Sequence, residues 1–287
     1  MSVTAPGAFG PEPSRIVASP DGVPIALFEA GLAPYATDRP SLLLVHGTTA
    51  DHTTFRALAP VLGLERHLVA IDRRGRGASG DALGEPPYSI EREYDDLAAV
   101  AHTVATLEGR PVDVLGHSYG GRVALGASLR SEWIRRIVVY EGAPSAPGSP
   151  YRPGGIEARV RSRLEAGDDD GALETFFREI VGMDDAAIEA YRANPVWPLR
   201  AAAAGTILRE LVAEASPPAS LDALGDVPVP VLLVLGSASR EPFATATAAL
   251  AARLSNASVV TIDGAAHAAH HTHVVELATA VERFLDA

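Results

Sequence analysis

Hydrophobic positions along the chain follow two different periods, and the two alternate. Short continuous apolar runs, "SLLLVHG" (41–47), "HLVAID" (67–72), "IRRIVVYEGAP", "VPVLLVLG" (229–236) and "ASVVTID" (257–263), predict strands buried on both faces. Between and after them, "HTTFRALAPVL", "SIEREYDDLAAVAHTVATL" (89–107), "FATATAALAARL" and "HVVELATAVERFLDA" carry the 3.6-residue period of amphipathic helices. Ser89 is placed to cap the second of these, with acidic residues in its first turns. "VDVLGHSYGGRVALGASL" passes from strand to helix across Ser118. Near the start, "RIVAS" and "PIALFEA" flank the turn signal "PDG", which predicts a hairpin.

From about Ala143 to Gly225 the strand period disappears. "GGIEARVRSRLEAG", "DGALETFFREIV", "DDAAIEAYRA" and "VWPLRAAAAGTILRELVAEA" are four helical stretches broken by Gly, Pro and Asp. "DDD" (168–170) reads as a solvated loop and helix cap. Strand–helix units on both sides of an all-helical insertion predict an α/β fold: a doubly wound, mostly parallel sheet carrying a helical lid. The expected division is 1–144 for the first part of the core, 145–224 for the lid and 225–287 for the rest.

Composition then removes whole chemistries. The 287 residues include no Cys, so disulfides, thiolate nucleophiles and thiolate metal sites are out. Every one of the 24 basic residues is Arg, which excludes a lysine Schiff base. A formal charge of −12 argues against nucleic acid, whose affinity rests on phosphate neutralisation. No apolar run approaches the ~20 residues of a membrane span, and "MSVTAPGAFGPEPSR" lacks the features of a signal peptide. A cytoplasmic protein is the expectation.

"GHSYG" (116–120) has the G-x-S-x-G form of a nucleophile elbow, and it sits where a strand turns sharply into a helix. That turn lifts the Ser118 hydroxyl clear of the sheet. "HGTT" (46–49) ends an earlier strand and offers backbone N–H groups for a tetrahedral oxyanion; the expected donors are those of Thr48 and Tyr119. His46 and His117 are read as structural. The base must come late, and "DGAAHAAHHTH" (263–273) offers four histidines. His267 is the candidate, with His270, His271 and His273 read as exposed residues at a helix entry. The rival reading makes the four a metal cluster. In "DRRGRG", Asp72 and Arg74 are read as holding the loop together.

Taken in order, "HGTT", "DRRGRGAS" (72–79), "GHSYGG", the lid insertion and "GAAH" resemble the α/β-hydrolase family over nearly the whole chain. The resemblance implies eight strands, with the lid between strands six and seven. It also implies an Asp three residues beyond the Gly that ends strand seven; here Gly236 is followed by Ser237, Ala238 and Ser239. Three acids are within reach. Glu141 ends strand six, a position from which a minority branch of the family draws its acid; Glu241 and Asp263 are the alternatives. "NPVWPLRA" and "GSASREPF" are similar to the lid and strand-seven loop of zearalenone lactonases and related esterases, although the elbow and oxyanion loop depart from theirs. On that likeness Trp197 is read as an aromatic wall over substrate or, equally, as a lid-core anchor, and Thr49 is also expected to face substrate.

A serine nucleophile forms an acyl-enzyme, so esters, lactones and amides fit while halides and epoxides do not. The expected reaction is hydrolysis of a small hydrophobic ester or lactone with no cofactor and no metal. The expected partners include neither nucleic acid nor membrane, and a homodimer is left open. Two rivals remain: a hydrolase of C–C bonds in diketones, and a non-catalytic ligand receptor on the same scaffold.

Overall fold

In the computed structural model, residues 8–82 and 87–287 are described. Eight strands form one sheet in the order β1-β2-β4-β3-β5-β6-β7-β8. They are β1 (Arg15–Ala18), β2 (Pro24–Gly31), β3 (Leu42–Val45), β4 (His67–Ile71), β5 (Val112–His117), β6 (Ile134–Tyr140), β7 (Val231–Gly236) and β8 (Ala257–Ile262). β1 pairs with β2, and β2 with β4, in antiparallel fashion; every other pairing is parallel. The opening hairpin therefore forms as the "PDG" turn predicts.

The central strands explain why their sequences read as unbroken apolar runs. In β3, Leu43 and Val45 face one hydrophobic layer, while Leu42 and Leu44 face the other, as the two-residue period of a strand requires. Both layers are sealed by helices. One is covered by α2 (Ile90–Glu108) and α3 (Tyr119–Ser128), after α1 (Ala59–Leu62). Leu62 of α1 joins the opposite layer, with Leu277 and Val281 from the last helix of the chain. Leu44→Ala would leave a cavity costing about 2–5 kcal/mol.

Between β6 and β7 lies the helical insertion: α4 (Ile156–Glu165), α5 (Asp169–Phe176), α6 (Asp185–Arg192), α7 (Trp197–Ala202), α8 (Gly205–Glu214) and α9 (Leu221–Leu224). Ile156, Leu173, Phe176, Trp197, Ile207 and Leu211 belong to a hydrophobic cluster of its own. Leu221 and Leu224 instead join the layer beneath the sheet. The chain then continues through α10 (Glu241–Ala251), α11 (Ala269–Thr272) and α12 (Val274–Leu285). Among the described residues no helix is long and apolar enough to cross a membrane.

Local chemistry adjusts several predicted elements. "HTTFRALAPVL" yields a 3₁₀ turn (His52–Phe55) and the single turn of α1, because Pro60 has no N–H to continue a longer helix. Ser89 stands at the N-terminus of α2, but its side chain makes no capping hydrogen bond. Asp168 does cap α5, accepting from the Gly171 N–H at 2.9 Å. The fourth predicted helical stretch breaks into α7 and α8 around Ala203 and Ala204.

Candidate active site

Ser118 occupies the single residue between β5 and α3, with φ 55° and ψ −125°. A non-glycine residue held there stores strain of about 1–3 kcal/mol, and the surroundings must enforce it. Glycine neighbours allow the close approach: a Cβ on Gly116 would strike the Gly120 carbonyl, and one on Gly120 would strike the Val45 carbonyl. The Ser118 N–H donates to the Tyr140 carbonyl at 2.8 Å, tying the elbow to β6.

Glu141, the residue after β6, is also strained, at φ 48°. Its side chain is buried, and both carboxylate oxygens are occupied. Oε2 accepts from His267 Nδ1 at 2.7 Å. Oε1 accepts from the Gly236 N–H at 2.9 Å and from the Ser239 hydroxyl. With its proton on Nδ1, His267 keeps Nε2 free to take another. Glu241 lies on the first turn of α10, exposed, and accepts from Thr245; Asp263 is exposed and accepts from Ser237 at 3.1 Å. Neither reaches His267.

The loop bearing His267 is fastened from below. His117 Nε2 donates to the His267 carbonyl at 2.9 Å. The Tyr140 hydroxyl donates to the Ala266 carbonyl and accepts from the Ala269 N–H at 2.9 Å. Burial first, and then the nearby His267, push the His117 imidazole well below its ordinary range, so it is neutral and its Nε2 proton is available. Sequence reasoning gave His117 only a generic structural place and missed Tyr140, whose hydroxyl no local pattern marks.

Ser118 and His267 meet as neighbouring walls of the same cavity rather than through a hydrogen bond. Such contacts commonly tighten only when substrate binds. Thr48 lies on the same wall, and among the described residues no backbone acceptor takes its N–H. Tyr119 opens α3, so its N–H belongs to a first turn whose amides have no helical partner. The cavity measures about 790 Å³ and lies between the strand ends and the insertion; Phe176, Phe177, Val181, Met183 and Tyr191 give it apolar walls.

Two residues expected at substrate are elsewhere. Trp197 does not line this cavity: it is buried in the core of the insertion, where its Nε1–H donates to Asp170 at 2.5 Å and Arg192 stacks 4.8 Å from its ring. Thr49 is buried at φ 59°, and its hydroxyl turns back to the Thr48 carbonyl at 2.7 Å. A third correction concerns the late histidines. His270 is buried, with its ring 4.3 Å from that of His117, and His271 and His273 are half-buried. The short turn of α11 folds that face back onto Phe55 and Thr54.

The "DRRGRG" loop is held as its charges imply. Asp72 accepts from the His52 N–H at 2.7 Å and the Ala78 N–H at 2.8 Å, and Arg74 pairs with Asp96 at 2.6 Å and Asp21 at 2.9 Å. Arg73 and Arg76 are buried with Glu93 and with Glu210, which arrives from α8. Burial opposes ionisation of Glu93, but Arg73 and Arg76 override it and hold the carboxyl at about 2. His46 receives the Arg73 N–H on Nε2 at 3.0 Å and shapes the oxyanion loop.

Residues 42–280 match the model of the alpha/beta hydrolase family, and the chain belongs to that family. The 2-(acetamidomethylene)succinate hydrolase of Mesorhizobium japonicum is 27% identical over 86% of this chain and 88% of that protein. A pimeloyl-[acyl-carrier protein] methyl ester esterase of Xanthomonas campestris is 27% identical over 86% of this chain and 96% of its own. A solved alpha/beta hydrolase from Sphaerobacter thermophilus superposes with a TM-score of 0.75 at 29% identity, covering 91% of this chain and 99% of that one. A stretch of 107 residues is 36% identical to the probable oxidoreductase EphD of Mycobacterium tuberculosis, but it spans only 17% of that protein and 37% of this one.

Proposed function

We propose that this hydrolase cleaves carboxylic esters or lactones through an acyl-enzyme on Ser118. The observation that carries the reading is the Glu141–His267 pair at 2.7 Å, set on one cavity with a serine at a strained elbow. His267 Nε2 takes the proton of Ser118 as Oγ attacks the carbonyl carbon. Developing charge on the carbonyl oxygen falls to the N–H groups of Thr48 and Tyr119. Glu141 holds the imidazolium and its tautomer. The same imidazole then protonates the leaving alkoxide and activates water for deacylation. In a lactone the alcohol stays tethered, so deacylation competes with ring closure. The helices between β6 and β7 act as a lid over this chemistry. A serine site of this kind suits esters and amides alike; the relatives named as hydrolase and methyl ester esterase support hydrolysis and favour the oxygen ester.

A fluorophosphonate probe tests the reading. It should label the wild type and not Ser118→Ala, and aryl esters or lactones should be turned over by the wild type only. Persistent labelling of Ser118→Ala, or inertness toward esters and lactones alike, would overturn it.

A further inference from the structure

Two guanidinium groups stand on the wall of the reactive cavity with no carboxylate among the described residues to neutralise them. Arg200 comes from α7 and Arg56 from the end of the 3₁₀ turn, and both line the cavity that contains Ser118 and His267. Among the described residues no acidic oxygen lies within 4.0 Å of either. This contrasts with Arg73, Arg74, Arg122 and Arg209, each of which pairs with an Asp or Glu. Arg200 is half-buried and rests on two neutral acceptors, the Thr54 hydroxyl at 3.1 Å and the Thr48 carbonyl at 3.4 Å. Arg56 donates to the Thr53 carbonyl at 3.2 Å. Most of their donors remain free. The carboxylates on the cavity wall among the described residues are already engaged: Asp184 caps α6, accepting from the Ala187 N–H at 2.8 Å, Glu141 accepts from His267, and Glu210 and Glu214 pair with arginines of the core.

The neighbouring imidazoles register the resulting field. Burial, then Arg56 and Arg200, pull His271 down to about 4, so it adds no charge of its own at neutral pH. His117 and His270, pushed well down chiefly by burial, also feel Arg200. The chain as a whole carries −12, yet this wall is positive. Long-range attraction of an anion is therefore weak, and recognition must be local.

We infer that Arg200 and Arg56, beside His271, form a carboxylate-binding subsite, so that the preferred substrate is an ester or lactone carrying a free carboxylate. The inference rests on the hydrolase reading above and narrows it. A planar guanidinium fork matches a carboxylate through two parallel N–H···O bonds. Thr48 fixes the spacing. Its carbonyl holds Arg200, and its N–H is the proposed oxyanion donor, so the carboxylate lies within a few carbons of the scissile carbonyl. A short dicarboxylic half-ester has that form, with the apolar walls covering its methylene chain.

The test compares 4-nitrophenyl hydrogen glutarate with the similarly sized neutral 4-nitrophenyl hexanoate. Charge-assisted pairing predicts that kcat/KM favours the anionic ester by about 10- to 100-fold in the wild type. Arg200→Gln should collapse that ratio, Arg200→Lys should restore part of it, and Arg56→Gln should lower it by a smaller factor. High salt should also reduce it. A wild-type ratio of one or less overturns the subsite while leaving ester hydrolysis standing. So does a ratio unchanged in Arg200→Gln, even if both rates fall together, because that would make Arg200 a support of the Thr48 loop. If neither ester is hydrolysed, calorimetric binding of glutarate decides: binding weakened in Arg200→Gln upholds the subsite without the chemistry, and no binding removes it.

Discussion

The Ser239 hydroxyl donates to Oε1 of Glu141, on the same carboxylate whose Oε2 accepts from His267 Nδ1. The position that lacks an acid therefore supplies a hydrogen bond to the acid offered by the adjacent strand. Glu141→Gln should lower kcat for a reactive ester by about 10²–10⁴, since the amide can no longer hold the imidazolium. Ser239→Ala should cost less, about tenfold at most, because the Gly236 N–H still holds Oε1. Glu241→Gln should leave kcat near the wild-type value. Steady-state kinetics on the three variants check the order, and a larger loss in Glu241→Gln would remove Glu141 from its role.

His117 tests whether fastening the base loop matters for the reaction. His117→Phe keeps a flat ring beside His267 but removes the Nε2–H that donates to its carbonyl at 2.9 Å. A neutral hydrogen bond is worth about 0.5–1.5 kcal/mol. The expected outcome is a fall of several-fold in kcat with KM little changed. A change in KM alone would show the ring acting on substrate.

Acid stability follows from the buried imidazole His270. Burial first, then the neighbouring His117 and His271, hold His270 well below its ordinary 6.5, so the folded chain keeps it neutral. Unfolded, the same ring takes a proton as pH drops below about 6.5. The unfolded state then binds more protons, so stability is full above that pH and declines as the solution is acidified. Denaturant titrations between pH 7 and 5 should show this slope, reduced by about one proton in His270→Gln. An unchanged slope would mean His270 is protonated in the fold.

Trp197 should behave as an anchor within the insertion. Trp197→Phe removes the Nε1–H bond to Asp170 and some ring volume from a buried cluster. The expected cost is about 1–2 kcal/mol in stability, with KM for small esters unchanged. A KM effect without a stability loss would place the ring at substrate.

How far the sequence reached depends on where each residue's partners lie. The parallel strands were legible because burial on both faces leaves an unbroken apolar run, as in "LLLV" of β3. The turn at Ser118 was legible because the glycines, strand and helix that make it are contiguous. Glu141 became a candidate only through the gap at Ser239. Their actual contact joins residues 98 apart and depends on β6 and β7 being neighbours. His270 was misjudged because four adjacent histidines look solvated, and only the fold shows one turned onto Phe55 and His117. Trp197 misled in the same way, since its partner Asp170 sits 27 residues earlier on another helix.

The ion pairs of α8 fasten the helical insertion to the core above Ser118. Glu210 is shared between Arg73 and Arg76, Glu214 pairs with Arg122, and Arg209 with Asp81. Withdrawing a partner from a buried pair costs about 3–5 kcal/mol, and sliding α8 would break several at once. Phe176 of α5 and Trp197 of α7 share one hydrophobic cluster with Ile207 and Leu211 of α8, so displacing the helix that carries Arg200 would strain those same pairs.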